Sequence, residues 1–187
     1  MRILIHTCCG PCLLPVAEKL AADGHEITAY FYNPNIHPRS EHERRLEAFR
    51  AVVEQAGLRT LPAPEYEPRA FFRAITFRES ERCRLCYRLR LFETALAGRD
   101  DGFEAFTTTL LVSPHQDQER LREAGEAAGR AAGVGFHCED LRPLFPRIRE
   151  MAESLDLYRQ KYCGCLYSEI EAEEGRRRKR KGRRRGT

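Results

Sequence analysis

No stretch of this 187-residue sequence approaches the ~20 consecutive apolar residues that a membrane helix needs. The opening MRILIHTCCG holds neither an apolar run of signal-peptide length nor a small-residue cleavage site. The expectation is a cytoplasmic protein with no membrane contact, living in a reducing compartment. Also missing after the first apolar run are a GxxxxGK[ST] phosphate cradle and a glycine-rich dinucleotide fingerprint, which argues against nucleotide-dependent chemistry. Cysteine, by contrast, is plentiful, with eight in the chain.

The cysteines fall into the run Cys8-Cys9-Gly10-Pro11-Cys12, a CxxC at Cys83/Cys86, a CxC at Cys163/Cys165 and a single Cys138. A chain of this length can bury about 70% of its unfolded surface and needs no covalent staples. In a reducing compartment, grouped cysteines read as metal ligands or catalytic thiols rather than structural disulfides.

Nine of the 32 basic residues lie between Arg176 and Arg185, so the rest of the chain carries 23 basic against 28 acidic residues. The division expected is a single catalytic domain over 1–175 and a disordered, solvated Arg/Lys-rich tail over 176–187. Such a tail suits a polyanion without saying which one.

The body alternates strand-like and helix-like segments. Strands are expected at Arg2 to His6, Glu26 to Tyr32, Leu58 to Pro62, Phe103 to Leu111 and Gly135 to Cys138. Helices are expected at Pro15 to Ala22, Ser40 to Ala56 with a Ser40/Glu43 capping box, Arg82 to Gly98, Gln116 to Ala132, Pro146 to Ser154 and Tyr167 to Glu174. This rhythm predicts a Rossmann-like α/β fold, a parallel sheet with helices on both faces. Ligands then bind at the carboxyl ends of the strands, so a metal site is expected on that rim, where Cys8, Cys9, Cys12 and the Asn33-Pro34-Asn35 turn fall.

Neighbouring cysteines do not readily close on each other, because a disulfide wants Cα atoms ~4.4–6.8 Å apart and chain neighbours sit ~3.8 Å apart. A CxxC at a helix start should have its thiol pKa values lowered by the free N–H groups there. Two pairs make a Cys₄ set, which suits a 4Fe-4S cluster or a structural zinc. Cys12, Cys163 and Cys165 are then left over. Gly164 frees the backbone of the CxC, whose sulfurs can meet in a reducible disulfide or bind a second metal. Cys138 reads as packing.

The segments HTCCGPCL, YFYNPNIHPRSEHERR, ERCRLCYRLRL, FTTTLLVSPHQD and LYRQKYCGCLYS, in this order, resemble the epoxyqueuosine reductase QueH family over about Met1 to Ser168. The resemblance implies a two-electron deoxygenation of epoxyqueuosine to queuosine at the wobble base of tRNA, fed by an external low-potential electron donor. It implies a 4Fe-4S cluster on Cys8, Cys9, Cys83 and Cys86, with Cys163 and Cys165 as the redox-active pair or as ligands of a second, mononuclear iron. Cys12 and Asp140, or Glu67, are candidates to complete that second site; the family's site includes an aspartate, and Glu65-Tyr66-Glu67 offers glutamate instead. Substrate contacts are assigned to Asn33, Asn35, Arg84 and Arg159, with Arg88, Arg90 and Lys161 as further phosphate contacts. Tyr32, Tyr87 and Tyr158 are candidates for stacking on an anticodon base, and His6 and His37 for proton donation. A zinc-stabilised nucleic-acid-binding module and a thiol-disulfide oxidoreductase are the alternatives.

Overall fold

The computed structural model describes residues 1–185, with side chains through residue 181. Five strands, β1 (Arg2–His6), β2 (Glu26–Tyr30), β3 (Arg59–Thr60), β4 (Ala105–Thr108) and β5 (Gly135–Phe136), form one sheet in the order β3-β2-β1-β4-β5. Every pairing is parallel, with Ile3 opposite Ile27 on one side of β1 and Ala105 on the other. Ile3, Leu4 and Ile5 are all fully buried, which is why the central strand is continuously apolar rather than alternating. α1 (Gly10–Ala22), α2 (Arg39–Gln55) and α6 (Phe145–Ser154) pack together on one face, and α4 (Arg82–Asp100) and α5 (Gln118–Ala132) on the other. The order in which strands are added reverses between β1 and β4, and a crevice opens at that reversal in parallel sheets of this kind.

Several boundaries differ from the sequence reading. α1 begins at Gly10, not Pro15, with Pro11 in its first turn, a position where a missing N–H costs nothing. Gly10 is obligatory there, because a Cβ on it would sit 2.2 Å from the Ala48 carbonyl oxygen of α2. No capping box forms on α2: Pro38 takes the N-cap position and leaves Ser40 inside the first turn. β4 stops at Thr108, whose hydroxyl accepts from the Leu110 amide and turns the chain into a 3-10 turn over Thr109–Val112. An additional helix, α3 (Pro68–Ile75), follows the proline-rich stretch, capped by the Glu67 carboxylate on the Arg69 amide.

The last helix, α7 (Leu166–Arg185), carries the basic stretch that was expected to be extended. Arg and Lys are good helix formers, and Glu173–Arg177 and Glu174–Arg178 ion pairs one turn apart tie the acidic segment to the basic one. Residues 186–187 of the expected tail lie outside the described residues. Among the described residues no helix is long and apolar enough to cross a membrane.

Candidate functional site

The ends of β1, β2 and β4 are tied together by His6. Its Nε2 donates to the Tyr32 carbonyl at 3.0 Å, so Nδ1 accepts from the Thr108 hydroxyl at 2.9 Å. Burial, reinforced by the Arg90 charge, pushes its pKa down to about 3. A ring so held is neutral and committed to two partners, which removes His6 as a proton donor. The Asn33 amide donates to the Thr7 carbonyl at 2.8 Å, and the Cys8 amide donates to Thr109 Oγ1 at 3.4 Å. The first cysteine run is thereby pinned over the β1/β4 reversal. Cys9 and Cys12, one turn apart at the start of α1, bring their sulfurs to 2.8 Å, longer than the ~2.05 Å of a disulfide.

A second group of thiols forms on the α4 side. Cys83 and Cys86 lie in the first turn of α4, and Cys86 and Cys165 share a small apolar cluster with Phe71 and Ile75 of α3. The thiols of Cys163 and Cys165 act on both members of the CxxC. Contrary to the expectation from the helix N-terminus, both CxxC thiols are pushed up. Burial dominates in each, opposed by Arg82 at Cys83 and by Arg90 at Cys86, which reaches about 12. In the first run, Cys8 is raised by its contact with Cys9 and by burial, and Cys9 reaches about 12, chiefly through its contact with Cys12. Desolvation of the anion outweighs the helix end. Without a cation to share, these sulfurs keep their protons.

The CxC loop is held from α2. Arg45, fully buried, donates through Nε to Glu41 at 2.8 Å, through Nη1 to the Cys163 carbonyl at 2.9 Å and through Nη2 to the Tyr162 carbonyl at 3.0 Å. The Tyr158 hydroxyl completes the Glu41 carboxylate at 2.5 Å. From the loop after β2, the His37 amide donates to the Gly164 carbonyl at 2.8 Å, and the Tyr162 hydroxyl donates to the His37 carbonyl. Gly164 has φ +150°, and a Cβ there would press on Ile36 and on the Asn35 amide nitrogen. On the far side, Gln116 Nε2 reaches Cys163 Sγ at 3.7 Å while its Oε1 accepts from the Tyr87 hydroxyl at 2.8 Å.

Arg90 joins the two thiol groups. It is 1% exposed, and its charge acts on Cys86 and Cys163 on one side and Cys8 on the other. A guanidinium buried there cannot serve as a phosphate contact. Seven of the eight cysteines therefore surround the end of the sheet. Cys83 and Cys86 keep company with Cys163 and Cys165, and Cys8 and Cys9 with Cys12.

The remaining candidates scatter. Asn33 and Asn35 are 2% and 1% exposed, and the side-chain oxygen of each lacks a hydrogen-bond partner, as do both ring nitrogens of His37. These are buried polar groups without partners, not exposed residues of a surface turn. Asp140 is exposed and gripped by Arg142 at 2.7 Å through both oxygens, which lowers its pKa to about 2. Glu67 is likewise taken by Arg69. Neither carboxylate has a thiol among its partners; the aspartate nearest in sequence to a thiol contact is Asp117, beside Gln116 at the start of α5. Arg84 is half-buried and Arg159 exposed, and they pair with Glu81 and Glu153. Lys161, Arg44, Tyr158 and Tyr162 line a cleft of about 210 Å³ behind the CxC loop. Cys138 is exposed rather than packed. Glu41, Arg45 and Gln116 were missed and Arg90 was read as a surface phosphate contact, since a charged or amide side chain in a helical or loop segment reads as solvated; the Glu41/Arg45 spacing of one turn was the single available sign.

Among the described residues no group of three or more His, Cys, Asp or Glu is already set at metal-binding geometry. The donor chemistry nevertheless suits a thiophilic metal. Buried neutral thiols crowd a buried guanidinium that has no carboxylate within ion-pair distance among the described residues, and metal-bound thiolates are the anions that would balance it.

A family model described as epoxyqueuosine reductase QueH matches residues 3–171. Curated relatives of that name include proteins from Dehalococcoides mccartyi, 38% identical over 91% of this chain and 93% of that one, and Thermotoga maritima, 34% identical over 92% of each. One from Streptococcus pyogenes is 33% identical over 89% of this chain and 69% of its own. Among solved structures, a predicted subunit of a tRNA methyltransferase from Methanocaldococcus jannaschii aligns over 82% of this chain and 74% of its own, with a TM-score of 0.54 at 10% identity. That likeness concerns the fold alone.

Proposed function

The chain belongs to the epoxyqueuosine reductase QueH family, and from that premise we propose that it reduces epoxyqueuosine to queuosine at the wobble position of tRNA. The reaction opens the epoxide, takes up two electrons and two protons, forms the ring double bond and releases water. The observation that supports this reading is the convergence of seven cysteines and two buried arginines on the reversal point of the sheet. Cys8, Cys9, Cys83 and Cys86 would hold a 4Fe-4S cluster. Cys12, Cys163 and Cys165 remain for a second iron or for a dithiol pair; the Asp140 carboxylate is occupied by Arg142, and that of Asp117 by Arg120 and the start of α5, so neither is assigned as an oxygen ligand. Bound iron would supply single electrons and a Lewis acid for the departing oxygen.

The chain's own groups do the rest. Arg45 and Glu41 fix the CxC loop, so that Cys163 is exposed while Cys165 stays covered. The oxygens of Asn33 and Asn35 are unpartnered but covered, and they would accept from donors on the substrate, such as the ring diol, only once the loop after β2 opens to admit it. Tyr87, hydrogen-bonded through Gln116 to the neighbourhood of Cys163, is a hydroxyl placed to hand on a proton. Arg44, Lys161 and the basic end of α7 offer positive charge to the phosphates around the anticodon.

The test is anaerobic reconstitution with iron and sulfide, incubation with epoxyqueuosine-containing tRNA and a low-potential reductant, then nucleoside mass analysis. Loss of one oxygen mass, in a brown protein with several irons per chain, is the expected outcome. A colourless protein holding one zinc and leaving the nucleoside unchanged would overturn the proposal.

A further inference from the structure

Among the described residues two guanidinium groups are fully buried, and one of them has an anion while the other has none. Arg45 is met by the Glu41 carboxylate and two carbonyls. Arg90, 1% exposed, makes a single long hydrogen bond of 3.4 Å to the Cys86 carbonyl, one turn back in its own helix. No carboxylate pairs with it among the described residues. The groups its charge reaches are Cys86 and Tyr87 from α4, Cys163 from the CxC loop, Cys8 just past the end of β1, and the neutral ring of His6. A buried charge left uncompensated is among the most destabilising features a fold can contain. A helix interior has many ways to fill such a position with an apolar side chain, and this one does not.

We propose that Arg90 is the counterion of the metal–thiolate assembly: the fold buries its charge without a partner, and the anionic sulfurs of the metal-loaded site complete the pair. The inference rests on the proposed binding of metal by these thiols. Arg90 lies between the two thiol groups, so its field reaches ligands from both. An anionic site is favoured by a fixed positive charge beside it, and an iron–sulfur group beside such a charge is easier to reduce, because the added electron is stabilised. Arg90 touches no substrate in this scheme; it acts through the sulfurs.

Two consequences have opposite signs, which separates this role from packing. In metal-free protein the charge is unmatched, so Arg90→Met should leave the apo chain at least as stable as wild type in anaerobic urea unfolding. In protein reconstituted with iron and sulfide, Arg90→Met should release iron to a chelator at least tenfold faster. Its midpoint potential should fall, a tenfold shift in the one-electron equilibrium being about 59 mV. Arg90→Lys, which keeps the charge, should restore most of both. An apo Arg90→Met protein less stable than wild type, or one that fails to fold, would make Arg90 a packing residue and overturn the inference, as would equal loss of iron retention in the Lys and Met variants. Unchanged iron release and potential in Arg90→Met would overturn it while leaving metal binding intact. Wild-type protein that takes up no iron would overturn both the inference and the metal reading beneath it, whatever the result with tRNA.

Discussion

Replacing Arg45 by Met leaves the Glu41 carboxylate buried without its cation and strips donors from the Tyr162 and Cys163 carbonyls. Breaking one side of a buried pair costs about 3–5 kcal/mol. Each carbonyl that water does not reach adds about 1–3 kcal/mol, but both lie in a part-buried loop, so roughly 4–6 kcal/mol in all is expected. For a domain of this size that is a fall in Tm of roughly 10–20 °C. Anaerobic urea unfolding of the metal-free protein measures it. A second variant, Glu41→Gln, tests the pair: the double variant should be at least ~2 kcal/mol more stable than the sum of the two singles, because once both are gone no unpaired charge remains. Freed from α2, the CxC loop should also expose Cys165, which is covered in the native fold, to alkylation, with Cys138 as the exposed internal reference. A loss below ~1 kcal/mol, strict additivity, or unchanged protection of Cys165 would refute the clamp.

His42 is held down at about 4 by burial, then by Arg39, Arg45 and His37. Between its ordinary value of 6.5 and about 4 the unfolded chain binds the extra proton, so its contribution is complete above pH 6.5 and fades as pH falls. At full extent that contribution is roughly 2 kcal/mol once screening by nearby solvent is allowed for. His42→Phe, which keeps a ring beside Phe31 and Tyr66, should remove that share of the acid slope; an unchanged slope in pH-dependent melts would contradict the assignment. Gly164→Ala meets φ +150° and an approach of 3.1 Å to Ile36, and is expected to lower stability by about 1–3 kcal/mol and disturb the CxC before anything else; wild-type melting would count against the strain. Deleting residues 176–187 should weaken tRNA binding at low salt, with iron uptake unaltered. The slope of log affinity against log salt should flatten by about 0.7 for every phosphate the basic helix neutralises; unchanged affinity would make that helix a bystander.

The sheet was legible because its strands carry their own signals. The three central residues of RILIH are all apolar, which a strand covered on both faces requires, and α5 shows the periodicity of a helix with one buried side; α4 was found from leucines at helical spacing, yet that stripe stays half-exposed while its buried side carries Cys86, Arg90 and Thr94. The errors came from local signals overruled by packing. Pro15 looked like a helix start but lies within α1, whose true beginning is set by the close approach of Gly10 to α2. Ser40 and Glu43 had the spacing of a capping box, yet Pro38 starts the helix earlier. For the site, spacing marked the cysteine pairs but gave no account of how the pairs come together. That grouping depends on a loop returning from the far end of the chain and on Arg45 and Arg90. In sequence, both arginines sit among other charges and give no sign of being buried.

Arg45 and the Cys163 carbonyl it holds are 118 residues apart in the chain. Chains are synthesised from the amino end, and contacts between distant segments must wait until the later one exists. The sheet and the first two cysteine groups can therefore be in place while the CxC has yet to be made. Only the closing segment brings the last two sulfurs and the carbonyls that Arg45 holds. A chain interrupted before residue 163 would keep most of its core and lack a finished centre. On the proposed reading, the four cluster cysteines are present before the CxC is made, and only chains that extend past Cys165 can complete the second site.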